Sequence, residues 1–426
     1  MFFNKLDINN KERKTFRLHM TYSLIEGFMT GVFILNEFIY IKSLQGSNYE
    51  LSILFQFSVV VLIISVFTNQ LMETLRNKKR LLRLIAVITR LPLVLMFFIP
   101  MAYIFQEQRL YNYYFLFAFF MYYMAQPVIL PSLNLLLKNN YENKNFGKLY
   151  SIATSMNKVV MLFVTFLFGL LLDYDHYAFR YVYPLSGFLG IISIYLLTQI
   201  EDNSIVLKSR FSYIKNLKSI IKSTLKENRA FRDFQLSLVF YGFGFMSTVT
   251  IITIFYEVVL HLNYSSVAFY KNVYNILAIL MLPFFGKLIS RIDQRRFSII
   301  SIASLLFYVI FVMLTTYFPA HFYFLELKIY YMLIIAVIFH AFFAATMSLS
   351  WSIGSAYFCK TEEAGIYQSV HLSITGLRGL IFPVIGVALY ERFGFTTTYI
   401  TASISLLTGI LILLYSEKHV KFQKKL

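Results

Sequence analysis

The chain has 426 residues, of which 58% are apolar and only 14% charged. A soluble domain carries roughly 25% charged residues and cannot cover that much apolar surface, so a soluble globular enzyme, a disordered chain and a secreted disulfide scaffold are excluded. The net charge of +18 comes from 39 Lys and Arg against 21 Asp and Glu, and a polytopic helical membrane protein accommodates both facts. The single cysteine, Cys359, permits no intrachain disulfide.

Residues 1–17 carry five Lys or Arg and no apolar core, which is not the pattern of a cleavable signal peptide. Apolar stretches long enough to cross a bilayer follow at 18–40, 51–72, 84–105, 112–136, 148–172, 180–199, 234–260, 266–289, 297–318, 329–352, 364–388 and 396–416. Backbone groups in lipid must bond within their own segment, so each of these spans is expected to be a helix. Twelve spans place both termini on one side. With that side cytoplasmic, and residues at span ends counted with the adjoining loop, 30 of the Lys and Arg lie inside, 5 lie outside and 4 (Arg90, Lys158, Lys271 and Arg378) lie deeper within spans. The positive-inside rule therefore predicts cytoplasmic termini, with basic residues facing an anionic inner leaflet. Nucleic-acid binding, the usual reading of a basic chain, has little left to explain. The lysine-rich inner face suits a bacterial inner membrane.

After the sixth span comes a polar stretch, residues 201–233. Within it Ile214, Leu217, Ile220, Ile221 and Leu225 recur at helical intervals with lysines between. This reads either as a basic amphipathic helix on the inner surface or as a solvated linker helix. It divides the chain into residues 1–200, the linker 201–233 and residues 234–426. The two flanking parts are related at one offset of 217 residues. Gly27-Phe28-Met29-Thr30 becomes Gly244-Phe245-Met246-Ser247. Tyr150 and Gly169 become Tyr367 and Gly386. Asn69, Leu71 and the pair Lys78-Lys79 become Gly286, Leu288 and Arg295-Arg296.

The loop after the eighth span contains Gly286, Leu288, Arg291, Asp293 and the basic pair Arg295-Arg296. It resembles the G-x-L-x-D-R-x-G-R-R/K loop signature of the major facilitator superfamily. Ser290 and Asp293 depart from that pattern. The copy after the second span is more degraded, with Asn69 for the glycine and Glu73 standing in for the aspartate. Thr375-Gly376-Leu377-Arg378-Gly379, then Pro383 and Gly386, looks like the Gly/Pro-rich interface helices of this family. The resemblance implies an all-α polytopic fold of 12 transmembrane helices in two pseudo-symmetric six-helix bundles. It also implies a latch between the halves at the signature loops, and function as a monomer.

In that architecture the first, fourth, seventh and tenth helices line the cavity, and the fifth and eleventh flank it. A charge at mid-membrane costs roughly 2.5–3.5 kcal/mol on insertion scales, so each is a candidate site. Glu26 and Lys158 sit at similar depth in the neighbouring first and fifth helices, and an ion pair between them is expected. Arg378 lies mid-way along the eleventh span with His371 two turns earlier on the same face. His340 is mid-span in the tenth, and both histidines are candidates for relaying protons. Gln126, Pro127, Pro131 and Asn134 mark the fourth span as a kinked, polar helix. Arg90 is read as lying near the inner end of the third span and snorkelling to the surface. Lys158 and Arg378 against Glu26 leave a positive excess, which favours an anionic or zwitterionic solute.

The functional expectation is a secondary active transporter moving a small solute by alternating access, coupled to protons. No G-x-x-x-x-G-K-[ST] loop is present, so ATP is not the expected energy source, and no cofactor or metal is called for. The fifth span from Met156 to Gly169 has no proline, unlike the drug antiporters of this family. Two readings stay open: a lipid-linked saccharide flippase of another fold, and a membrane-embedded acyl or glycosyl transferase. The 217-residue repeat and the loop signature speak against the first, and the short external loops and 6+6 repeat against the second.

Overall fold

The structure is a computed structural model that describes residues 8–59, 61, 77–99, 109–201, 225–226, 228–359 and 364–420. Four of its long helices begin where a short polar side chain satisfies one of the first free N–H groups. Asn9 caps α1 (Asn10–Phe33) and forms a capping box with Glu12. A short α2 (Asn36–Lys42) continues the first span, and residues 48–59 begin the second. α3 (Lys78–Leu95) carries the third span. The fourth is broken at Ala125 into α4 (Leu110–Met124) and α5 (Gln126–Asn140), because Pro127 starts a helix more readily than it continues one. α6 (Asn143–Tyr174) and α7 (Phe179–Leu197) are the fifth and sixth spans.

Asn228 caps α8 (Arg229–Val258), Asn263 caps α9 (Tyr264–Arg291) and Asp293 caps α10 (Gln294–Tyr317). A two-stranded hairpin follows, β1 (His321–Phe324) and β2 (Leu327–Tyr330), with His321 opposite Tyr330 and Phe324 opposite Leu327. The tenth span is α11 (Tyr331–Ile353). The last two spans run as α12 (Ala364–His419), interrupted where Gly394 adopts φ 78°, a left-handed conformation open to glycine. Ten helices among the described residues are long and apolar enough to cross a membrane. The second span lies largely outside the described residues, and α12 accounts for two spans. The architecture is the all-α, twelve-helix, two-bundle plan. The linker helix expected at 211–225, but for its last residue, and Glu73 of the first signature loop lie outside the described residues.

Contacts divide the chain into two units. One contains Met1–Gly46 and Ile64–Ser209; the other contains Ser47–Ile63 and Arg210–Leu426. In the first unit α1 packs on α6 and α7, and α3 packs on α4 and α7. In the second unit α8 packs on α12, and α10 packs on α11 and α12. The same neighbours therefore recur in each unit.

Small residues let these helices approach closely, since lipid supplies no hydrophobic drive between them. A Cβ on Gly27 would come within 2.5 Å of the Asn157 carbonyl oxygen, and one on Gly31 within 2.7 Å of that of Met161. Asn157 Nδ2 donates to the Ser23 carbonyl (2.9 Å) and Thr165 Oγ1 to that of Gly31 (3.0 Å), so the seam is also bonded. In the second unit a Cβ on Gly386 would overlap the backbone of Ser247. Gly244, the repeat partner of Gly27, instead meets Leu406 and Ala402 in the twelfth span. The two glycines do the same job against different neighbours.

Candidate functional site

In the first unit a buried charge cluster forms around Glu26. The carboxylate of Glu26 is buried on α1. The hydroxyl of Ser193 on α7 lies 3.0 Å from Glu26 Oε1 and 3.0 Å from the Gly190 carbonyl. Arg90 on α3 is 0% exposed. Its Nη1 donates to Thr89 Oγ1 (2.7 Å) and its guanidinium lies 5.2 Å from the Tyr122 ring centroid. Arg90 acts electrostatically on Glu26 but does not join it in an ion pair. The Tyr122 hydroxyl bonds to Gln126 at the break in the fourth span. Gln126 thus joins the cluster through Tyr122. Asn134 is exposed on α5, and no described contact links it to Glu26.

Two sequence expectations change here. The Glu26–Lys158 ion pair does not form. The depth match is sound, but Gly27 and Asn157 occupy the seam between α1 and α6, and Glu26 and Lys158 each lie one residue off it. Glu26 turns to α7, and Lys158 Nζ has Met161 Sδ at 3.9 Å. Arg90 does not snorkel. Its helix begins at Lys78 rather than at residue 84, so it sits about 18 Å along the helix. Sequence reading sent its side chain to the surface and overlooked Ser193 and Tyr122. The i, i+3 pair Gly190 and Ser193 was the available signal for a polar contact on α7.

In the second unit Arg378 is 3% exposed and lies against α8. Its guanidinium donates to the Leu238 carbonyl and to the Thr375 hydroxyl, and it lies 5.9 Å from the Tyr241 ring centroid. Gly242 leaves room for its stem: a Cβ there would come within 2.7 Å of Arg378 Cδ. His371 is buried, with Nδ1 3.3 Å from the Gln235 amide and its ring 6.3 Å from that of Phe234. His371 and Arg378 therefore face the same helix. His340 stacks on Tyr308 (4.4 Å) and packs on Tyr274 (4.2 Å). Ring contacts at 5.9 Å run from His340 to Phe343 and on to Tyr241, which ends the chain at Arg378.

The second signature loop makes a set of bonds inside the second unit. Asp293 caps α10 by accepting from the Arg295 N–H (2.8 Å) and pairs with the Arg295 guanidinium (2.8 Å). Arg295 Nη1 also donates to the carbonyls of Ser416 (2.7 Å) and Val420 (3.0 Å), and Arg296 pairs with Glu417. These bonds tie the ninth span to the end of the twelfth. Gly286 is inside α9 with nothing within 4 Å of a Cβ, so among the described residues it mediates no close approach. Arg291 is exposed in the last turn of the same helix. Arg295→Ala removes several buried charge-assisted bonds, each worth roughly 1.5–3 kcal/mol. The expected outcome is a clearly lowered melting temperature of the purified protein, whereas Arg291→Ala should leave it near the parent value.

A comparable tie at the start of α1 was missed in the sequence. Glu12 is fully buried and accepts from the Glu142 N–H (3.0 Å) and from Asn145 Nδ2 (3.1 Å). The capping-box spacing of Asn9 and Glu12 was its visible signal.

The model of the Major Facilitator Superfamily matches residues 20–327, and the chain belongs to that family. No curated protein matches it in sequence. Among solved structures it is similar to a mutant of the nucleoside transporter NupG, with TM-score 0.68 and 11% identity over 96% of this chain and 100% of that one. It is also similar to a POT family transporter in complex with 5-aminolevulinic acid, with TM-score 0.68 and 11% identity over 95% and 96% of the two chains. The xylose transporter XylE from E. coli gives TM-score 0.60 and 12% identity over 97% and 100%. At such identities these likenesses speak for the fold alone. The chain is a multi-pass membrane protein and a secondary transporter, not an enzyme. A flippase of another fold is excluded by the same membership.

Proposed function

We propose that this chain is a proton-coupled transporter of a small anionic or zwitterionic solute, with Glu26 as the group that carries the proton. The observation that carries this reading is the environment of Glu26: a buried carboxylate touched by one hydroxyl and faced by a guanidinium that does not contact it. A tightly bonded ion pair would hold the carboxylate ionised. A lone carboxylate in lipid would stay neutral. Glu26 has neither arrangement: one hydroxyl bonds it, and the guanidinium of Arg90 stands apart from it. Its charge is felt by Arg90, which lies over Tyr122, which bonds to Gln126 at the break in the fourth span. Protonation of Glu26 therefore has a route to a helix that can bend.

The solute class rests on charge. Arg90 joins Lys158 and Arg378 as a cation deep in the spans, against Glu26. Arg378, with His371 and Gln235 beside it, is the group assigned to the solute carboxylate. The two six-helix bundles alternate access around the solute. The reading keeps the protein monomeric, in a bacterial inner membrane, with both termini cytoplasmic on the 30-to-5 distribution of basic residues.

Purified protein in liposomes, offered pools of anionic, zwitterionic and cationic metabolites, tests the solute class. Uptake from the anionic or zwitterionic pool is expected. Arg378→Gln, in protein that still melts cooperatively, should raise KM by about ten- to a hundredfold, the equivalent of one lost charge-assisted bond. Uptake confined to the cationic pool contradicts the assignment.

A further inference from the structure

We propose that the β1–β2 hairpin is a membrane-interface anchor, whose tip inserts into the lipid headgroup region at the end of the C-terminal unit away from Arg295. The two strands are treated differently by the fold. β2 is buried, while every residue of β1 is exposed. The exposed strand and the first turn residue read His321-Phe322-Tyr323-Phe324-Leu325 and carry no carboxylate, lysine or arginine; the second turn residue, Glu326, is an exposed carboxylate that suits the polar headgroup level rather than the hydrocarbon. Tyr323 is 64% exposed, Phe324 60% and Leu325 85%. An apolar aromatic strand facing water on both sides would be an aggregation hazard.

Leu325 adds a second observation. It occupies the first turn position with φ 54°, in the left-handed region that glycine or asparagine fills at little cost. A leucine there is strained by roughly 1–3 kcal/mol. The most exposed apolar side chain of the hairpin thus stands at the position where its backbone is least favourable. Strain of this kind persists when the side chain itself is needed.

The flanking helices show what that side chain meets. α10 runs 24 residues from Gln294 to Tyr317, about 36 Å, so it crosses the hydrocarbon core of roughly 30 Å and ends at the interface. Tyr317, Phe318 and Tyr331, at the two helix ends that bracket the hairpin, are exposed aromatics of the kind that line that boundary. The hairpin continues this belt directly. Lipid is therefore the occupant, rather than a second protein.

The attachment is also built. Tyr270 Oη donates to the Lys328 carbonyl (3.1 Å) and accepts from the Tyr330 N–H (2.8 Å). Lys328 Nζ and Tyr330 Oη both donate to the Leu260 carbonyl (2.8 and 3.2 Å), and Asn263 Nδ2 donates to that of Glu326 (3.0 Å). The lysine charge is thereby turned into the protein, away from the exposed strand. The turn between α8 and α9 holds the buried strand, and the exposed one is presented outward.

The chain has one tryptophan, Trp351, so a reporter is simple to install. Trp351→Phe combined with Leu325→Trp, and separately with Phe324→Trp, would be reconstituted in phosphatidylcholine liposomes. Quenching by lipids brominated near the carbonyl end of the acyl chain would be compared with quenching by aqueous iodide. The expected result is loss of most of the emission to brominated lipid and little to iodide, in whichever reporter folds. Adding Leu325→Asp to the Phe324→Trp reporter should restore much of that emission. Strong iodide quenching without lipid quenching would overturn the proposal. So would protection from both quenchers, which would mean that protein covers the tip.

Discussion

Gly386→Ala is expected to destabilise the protein by about 3 kcal/mol or more, at the top of the range for overpacked sites. The added carbon would overlap the carbonyl oxygen and Cα of Ser247 on α8. Those are backbone atoms, so no rotamer change relieves the clash, and α8 and the eleventh-span part of α12 must move apart. In lipid that contact is not replaced by hydrophobic burial elsewhere. Gly286→Ala provides the opposite case. A Cβ there meets nothing within 4 Å, and Gly286 lies within α9. Alanine is the better helix former by about 1 kcal/mol, so this variant should melt at or above the parent temperature. Thermal melting of both variants in the same detergent checks the pair. Equal melting points would show that the close approach of α8 and α12 is not limiting.

Glu26→Gln is expected to abolish accumulation of solute while leaving exchange intact. With a gradient of about one pH unit, one-proton coupling concentrates a solute about tenfold, because 1.4 kcal/mol corresponds to a factor of ten. Glutamine has nearly the same shape and can still accept the Ser193 hydroxyl, so the cluster keeps its geometry. It cannot gain or lose the proton. The variant should therefore bring solute only to equal concentration on both sides, and should still swap labelled for unlabelled solute. Loss of exchange as well would mean that Glu26 is needed for the structure or the binding step rather than for coupling.

Most of the fold was readable because lipid imposes strong rules on sequence. Runs of apolar residues marked the spans, and one offset exposed the repeat. The site was legible in depth but not in azimuth. Glu26 and Lys158 were rightly placed at one level, yet the sequence does not say that Gly27 and Asn157 take the seam between their helices. Arg90 was read as snorkelling because the sequence does not show that Thr89 and Tyr122 enclose it. Gln126 was singled out for its proline neighbour, and its link to the cluster through Tyr122 required the fold. Gly286 matched a family motif, but a motif does not specify whether a neighbouring helix comes close enough to need glycine. The hairpin gave no signal, since its turn is Leu325-Glu326 rather than a glycine or asparagine pair.

Proton movement during solute transport is the most direct test of the account. Wild-type protein and Glu26→Gln would be reconstituted in parallel in liposomes that enclose a pH-sensitive dye, and solute would be added without any preset gradient. The account predicts a solute-dependent dye signal in the wild type and none in Glu26→Gln. Solute entry by the wild type with no dye signal, or an unchanged signal in Glu26→Gln, would contradict it.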